Sequence, residues 1–310
     1  MSLHNVKEIL SGLPFGPATG AATGGAHTGA GAYAVGKGHI GAETGAVAAF
    51  NVHNMEFVQG VVGAAEDEGA PVILMIGEPM IPFAGLDMLV AICRKAAEAS
   101  SVPMAIALDH GKKRENIQRC IELGVSVMFD GSHLPFEENI ALTKEYAALA
   151  HAAGVSIEGE IGAIGGAEDD DVDGAASLTD PMQAIEFAER TGVDGLAISI
   201  GNRHGFYKRP PLLNMEILSQ VATVVRMPIV LHGGSDVPDA EIRKAIRCGI
   251  RKVNVGTELK YAFFSTLKER LNQDPMPYQP PAVLAQARAA IRELARSKIR
   301  LFRSAWEVRT

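Results

Sequence analysis

Eight short apolar runs recur along the chain, and a stretch of helical periodicity follows each one. The runs fall at 46–51, 71–76, 103–108, 125–129, 155–159, 194–199, 228–231 and 251–255. The amphipathic segments fall at 54–68, 85–100, 114–123, 136–153, 180–191, 214–224, 239–248 and 257–271. Strands that alternate with helices predict a parallel sheet. Eight repeats fit a closed α/β barrel, the (β/α)8 TIM barrel, better than an open sheet. Such a barrel usually needs about 250 residues, and the chain has 310. The runs are rich in Val, Ile, Ala and Leu without polar alternation, as expected when both faces are buried. A lead helix is predicted at 4–11, a further helix at about 281–297, and a short tail after it. The expected layout is a single domain over 1–310, with the barrel at about 46–271 and a C-terminal helical extension at 272–310. Residues 12–45 are dominated by Gly, Ala and Thr and have no periodicity. They read as an insertion, either a flexible segment or an ordered functional loop.

Charge and composition narrow the function classes. The net charge is −7 and the pI about 5.7. No basic stripe points to nucleic acid. No run approaches the ~18 apolar residues of a membrane span, and MSLHNVKEIL lacks the pattern of a signal peptide. The cysteines, Cys93, Cys120 and Cys248, are odd in number and widely spaced. They read as free thiols in a reducing, cytoplasmic setting.

Three histidines stand at strand exits. MAIAL (104–108) runs into Asp109 and His110, GLAISIG (195–201) runs toward His204, and PIVL (228–231) runs into His232. In a barrel these exits share one face, where active sites lie. Three imidazoles converging there match a three-histidine zinc site with a fourth position open for chemistry. Gly111, Gly205 and Gly233 follow them and suit a sharp turn or a close approach. Asn51, Asp109, Asp130, Glu158, Glu160, Ser235, Asn254 and Thr257 stand at the same ends. Asp109 and His110 should point in different directions, one to metal and one to substrate. The plainer reading of Asp109 is a carboxylate that orients a ligand histidine. HGGS (232–235) and NVGT (254–257) follow strands 7 and 8, where barrels commonly hold phosphate. The plainer reading there is helix capping by Ser and Thr. The glycine-rich acidic loop GAIGGAEDDDVDG (162–174) reads as a lid able to deliver Glu168, or as a solvated loop.

Taken together, AFNVHN, LDHG, VMFDGSHLPFEENI, IEGEIGAIGGAEDD, TDPMQAIEFAERTGVDGLAISIG, HGFYKRPP, LHGGSDVPD and KVNVGTELKYAF resemble, in order, the class II metal-dependent ketose-bisphosphate aldolases. The tagatose-type branch is the nearest in pattern. The resemblance covers about 46–271. It implies zinc on His110, His204 and His232, with Asp130 and Glu160 around an alternative, buried metal position. It implies Asp109 as the acid/base at the C4 hydroxyl and Glu168 as the residue that exchanges a proton at the nucleophilic carbon. Asn51, Gly205, Lys208, Gly233, Ser235, Asn254 and Thr257 match positions around the substrate and its C1-phosphate. A monovalent cation, Na+ or K+, near the phosphate and a homodimer or homotetramer are further implications. The implied reaction is reversible cleavage of a fructose- or tagatose-type 1,6-bisphosphate to dihydroxyacetone phosphate and an aldehyde such as glyceraldehyde 3-phosphate. It needs no Schiff-base lysine.

Three departures bear on the substrate. Gly77 stands where the family offers Ser or Thr at the second strand exit. Met276 stands where an Arg usually follows Asp-Pro and holds the distal phosphate. The 12–45 insertion precedes the first strand, where related chains are short. The alternative is therefore a ketose 1-phosphate without the distal phosphate, such as a deoxy or acid sugar. A non-catalytic sugar-phosphate-binding subunit would be expected to lack at least one of Asp109, Glu168 or the histidines. A barrel metallohydrolase would normally place a histidine pair at strand 1, and NVHN does not supply one.

Overall fold

Each apolar run becomes one stave of a barrel. A computed structural model describes residues 3–11, 45–166, 177–274 and 278–303. The strands are β1 (Val47–Asn51), β2 (Val72–Gly77), β3 (Met104–Gly111), β4 (Ser126–Phe129), β5 (Ile157–Ile161), β6 (Gly195–Ile198), β7 (Ile229–Leu231) and β8 (Ile250–Val255). Each pairs in parallel with the next, and β8 pairs with β1, which closes the barrel. The crossover helices are α1 (Met55–Glu68), α2 (Leu86–Ala99), α3 (Arg114–Glu122), α4 (Phe136–Ala152), α5 (Pro181–Thr191), α6 (Met215–Val224), α7 (Asp239–Cys248) and α8 (Thr257–Gln273). Local chemistry sets their ends. The Asn54, Asp180 and Asn214 side chains accept backbone N–H groups at the starts of α1, α5 and α6, which satisfies donors the helix itself leaves unpaired.

The strands bury two different faces. Outward residues such as Phe50, Leu74 and Leu108 pack under the helices in one large core. Inward residues form a smaller cluster of Val47, Ala49, Ile73, Met75, Ala105 and Ala107, closed below by Val6 and Leu10. Strand residues two apart share a face. Asn51 follows Val47 and Ala49, and Asp109 follows Ala105 and Ala107. The interior alternation therefore carries those polar side chains to the mouth of the barrel.

The structure departs from the sequence reading in four places. Strand β3 runs through Asp109, His110 and Gly111 rather than ending at 108. The lead helix is Val6–Leu10, and Leu3–His4 before it pairs with β3. Two short helical turns, Glu78–Met80 and Ile81–Ala84, follow β2. The C-terminal helix spans Pro280–Arg303, longer than expected at its end because Ile299 and Phe302 continue its buried stripe. That helix lies against α1, where Arg292 pairs with Asp67 and Arg296 and Arg300 pair with Glu68. No helix among the described residues is long and apolar enough to cross a membrane. Glu168, Met276 and all of the 12–45 insertion except Gly45 lie outside the described residues.

Candidate active site

His110, His204 and His232 converge at the mouth of the barrel. Ligand nitrogens from the three lie within 4.8 Å of one another. Ring centroids stand 4.9 Å apart for His110–His204, 4.6 Å for His110–His232 and 6.3 Å for His204–His232. His232 is fully buried and continues the inward face of β7. His110 is out of step with the inward residues of β3, and its backbone resolves the mismatch. Its φ is +49°, left-handed for a residue with a side chain, and the β3–β4 register shifts between Leu108 and Gly111. This bulge brings both Asp109 and His110 to the mouth while their side chains diverge.

The carboxylates sort themselves by partner. Asp130 Oδ2 lies 3.0 Å from His110 Nδ1, and the Ser132 hydroxyl donates to Asp130 Oδ1 at 2.7 Å. Burial alone would raise the Asp130 carboxyl. His110, Ser132 and Lys112 outweigh it and hold the group well below the usual carboxylate range. Glu158 Oε1 lies 2.9 Å from His232 Nε2, and Lys252 Nζ donates to Glu158 Oε2 at 2.8 Å. Burial opposes ionisation of Glu158 as well, yet Lys252 and His232 bring it down to about 2. Glu160 Oε2 stands 3.1 Å from His232 Nδ1, an ion-pair contact without hydrogen-bond alignment. Burial disfavours a charged His232, but Glu158 and Glu160 push its pKa up to about 9. His110, Asp130 and Glu160 form a second group whose ligand atoms also lie within 4.8 Å of one another.

Asp109 differs from these carboxylates. Its oxygens accept N–H groups from Asn51 Nδ2 at 2.7 Å and Asn254 Nδ2 at 3.2 Å. Asp109 is thus held between two amides from β1 and β8, while Asp130 and Glu158 contact the histidine rings.

The loops after β6, β7 and β8 lie together. Gly233 has φ +59°, and a Cβ there would stand 2.2 Å from the Arg203 carbonyl, so only glycine lets the HGGS loop pass the chain entering His204. The Tyr207 hydroxyl accepts the Arg203 N–H at 2.8 Å and donates to Gly233 O at 3.1 Å, tying those loops together. Ser235 is buried and its Oγ lies 3.4 Å from the Glu258 N–H, in the first turn of α8 that Thr257 opens. Gly256, not a Ser or Thr, is the N-cap of α8, and the Glu258 contact sets Ser235 beside a helix N-terminus suited to an anion. Gly205 is partly buried in the loop beyond His204, and Lys208 is exposed further along it.

Three contributors were not singled out by sequence. Glu78 accepts from Lys112 N and Lys113 N, both at 3.0 Å, and from Asn116 Nδ2 at 2.9 Å. It holds the two residues just before α3 and a side chain of its first turn, and so anchors the chain leaving His110. Tyr207 is the second, and only the turn at Gly233 gives it a role. Lys252 is the third; its partner sits 94 residues away, and no local pattern reports that.

The donor set suits a divalent ion of zinc's preferences. Three neutral imidazoles can bind it, and the Nδ1–Asp130 and Nε2–Glu158 contacts fix which nitrogen of His110 and of His232 remains for the metal. A cation drawn there competes with the His232 proton.

Known proteins agree with this architecture. Residues 39–306 match the class-II fructose-bisphosphate aldolase family. The D-tagatose-1,6-bisphosphate aldolase subunit GatY of Klebsiella oxytoca is 43% identical over 257 residues, which is 82% of this chain and 90% of the relative. A sulfofructosephosphate aldolase of Alkalicoccus urumqiensis is 42% identical over 267 residues, 85% of this chain and 93% of its own. The crystal structure of the YdjI aldolase of Escherichia coli K12 superposes with a TM-score of 0.74 at 36% identity, covering 86% of this chain and 94% of that one. With its closed parallel barrel and its histidine trio at the mouth, this chain belongs to the class II fructose-bisphosphate aldolase family, and it is an aldolase.

Proposed function

We propose that the enzyme reversibly cleaves a ketose 1,6-bisphosphate of the fructose or tagatose type. The products are dihydroxyacetone phosphate and an aldehyde such as glyceraldehyde 3-phosphate. The observation that carries this reading is the amide-held carboxylate of Asp109 beside three convergent imidazoles. His110, His204 and His232 would hold zinc, and zinc when bound supplies Lewis-acid stabilisation of negative charge on the substrate oxygens. Asp109, kept in place by Asn51 and Asn254, takes the C4 hydroxyl proton as the C3–C4 bond breaks and returns it in the reverse direction. Glu168 delivers the proton that completes the triose. Gly205, Lys208, Gly233, Ser235, Asn254 and Thr257 hold the C1-phosphate and the triose end. Asp130 and Glu160 supply the alternative metal position beside His110. The reading extends to a single aldolase domain, a cytoplasmic homodimer or homotetramer, and a monovalent cation beside the phosphate.

A second reading has its own support. Gly77 pairs with Asp109 across β2 and β3, so the second strand exit carries no side chain beside the reacting end. One relative is a sulfofructosephosphate aldolase. A ketose 1-phosphate whose far end carries something other than phosphate fits such a site. The test is release of dihydroxyacetone phosphate from a panel of ketose mono- and bisphosphates, using enzyme as purified, after chelation, and reloaded with zinc. Cleavage that vanishes on chelation and returns with zinc is expected. Full activity in verified metal-free enzyme would sink the zinc mechanism, and no release from any ketose phosphate would sink the aldol reading.

A further inference from the structure

Below His232 lies a buried ion pair to which the proposed reaction gives no role. Lys252 on β8 and Glu158 on β5 meet across the barrel interior, 2.8 Å apart, with side chains only 2% and 7% exposed. Such a pair is poor evidence for stability, because the cost of desolvating both charges offsets their attraction. Most of the interior around the neighbouring strands is apolar, so an apolar pair would suit the packing. The second oxygen of Glu158 suggests another purpose. A carboxylate oxygen only accepts, so the 2.9 Å contact between Oε1 and His232 Nε2 places the ring hydrogen on Nε2. Nδ1 is then the nitrogen left to bind a cation. The His110 side is built the same way. Asp130 takes the inner ring nitrogen, and Ser132 anchors Asp130 from behind. Lys252 stands to Glu158 as Ser132 stands to Asp130.

We propose that Lys252 and Glu158 are positioning residues for the metal centre: the ion pair holds the carboxylate where it fixes the tautomer and orientation of His232. The inference rests on the reading that the three histidines hold a divalent ion. The probe is Co2+, whose affinity is measured by competition with a chelator and whose geometry is read from its visible absorption. Lys252→Met should weaken Co2+ binding by roughly 10–100-fold and alter the spectrum, and Lys252→Arg should restore most of both. Glu158→Gln should weaken binding comparably. The double variant should bind no worse than Glu158→Gln alone, because both residues act along one path. It also removes the unpaired charge, so it carries the test if Lys252→Met fails to fold. Wild-type affinity and spectrum in a folded Lys252→Met or double variant would overturn the proposal, even with a lowered melting temperature. Additive losses in the double variant would overturn it too. Wild-type protein that binds no Co2+ would overturn both this inference and the metal reading; unchanged binding confined to the variants would overturn this one alone.

Discussion

At the scale of single residues, Asp109 and His110 show how one strand end aims two neighbouring side chains at different partners. The left-handed turn at His110 sends its ring toward Asp130, and Asp109 stays on the interior face between Asn51 and Asn254. The two amide donors fix the position of the Asp109 carboxylate. Asp109→Ala should therefore bind metal with wild-type stoichiometry and lose about 10²–10⁴-fold in kcat, the usual contribution of a positioned acid/base. Metal analysis beside single-turnover rates checks this. Loss of the metal in the variant would make Asp109 a structural support and place the base elsewhere. Much of this site was legible in the sequence, because strand exits in a barrel point to one face and the polar residues there are few. The bulge was not legible. An apolar run followed by Asp-His-Gly does not report a φ of +49°, and the contacts that separate the two side chains reach from β3 to partners elsewhere in the barrel.

At the scale of elements, the strands and crossover helices were readable because short apolar runs alternate with helix-length segments along the whole barrel. The seating of the last helix was harder to read, since it depends on a surface that forms only when α1 is in place. Gly60 and Gly63 lie on that surface. A Cβ at Gly60 would stand 2.7 Å from Ile291 Cγ2 and 3.0 Å from the Arg288 carbonyl, a branched side chain and backbone that give little. At Gly63 the nearest atom is Arg292 Nε at 3.1 Å, on a flexible side chain. Replacing a helical glycine with alanine gains about 1 kcal/mol of propensity, whereas overpacking a tight contact costs about 1–3 kcal/mol. Gly63→Ala should then equal or exceed the wild type in urea denaturation, and Gly60→Ala should fall below Gly63→Ala. The reverse order would mean that the two helices separate more readily than their packing implies.

At the scale of the whole molecule, each end of the barrel gives a test. At the foot Asp194 is paired with Lys7 of the lead helix at 2.8 Å and with His151 of α4 at 2.9 Å, and it accepts the Ile157 N–H of β5 at 3.0 Å. Burial raises its carboxyl, but Lys7, Ile157 and His151 together hold it below the ordinary 3.8. A depressed carboxyl contributes stability that is present above its unfolded pKa and is lost as pH falls through its folded value. Asp194→Asn should therefore be less stable than the wild type at pH 7, and the gap should narrow below about pH 3.8. A gap in unfolding free energy that stays constant from neutral to acid pH would assign the loss to packing. At the mouth the question is reach. On the proposed phosphate side Ser235 stands beside the α8 N-terminus, and the exit of β2 ends in Gly77, which has no side chain. A distal phosphate is usually held by charge-assisted hydrogen bonds worth roughly 1.5–3 kcal/mol each. Without a donor side chain at that strand exit, a 1,6-bisphosphate should gain less over its 1-phosphate here than it would from a site with such a donor. We expect a ratio of kcat/KM below about 10³, or roughly 4 kcal/mol, for the fructose and tagatose pairs. A larger ratio would show that other residues clamp the far phosphate and that the glycine at β2 leaves no gap in recognition.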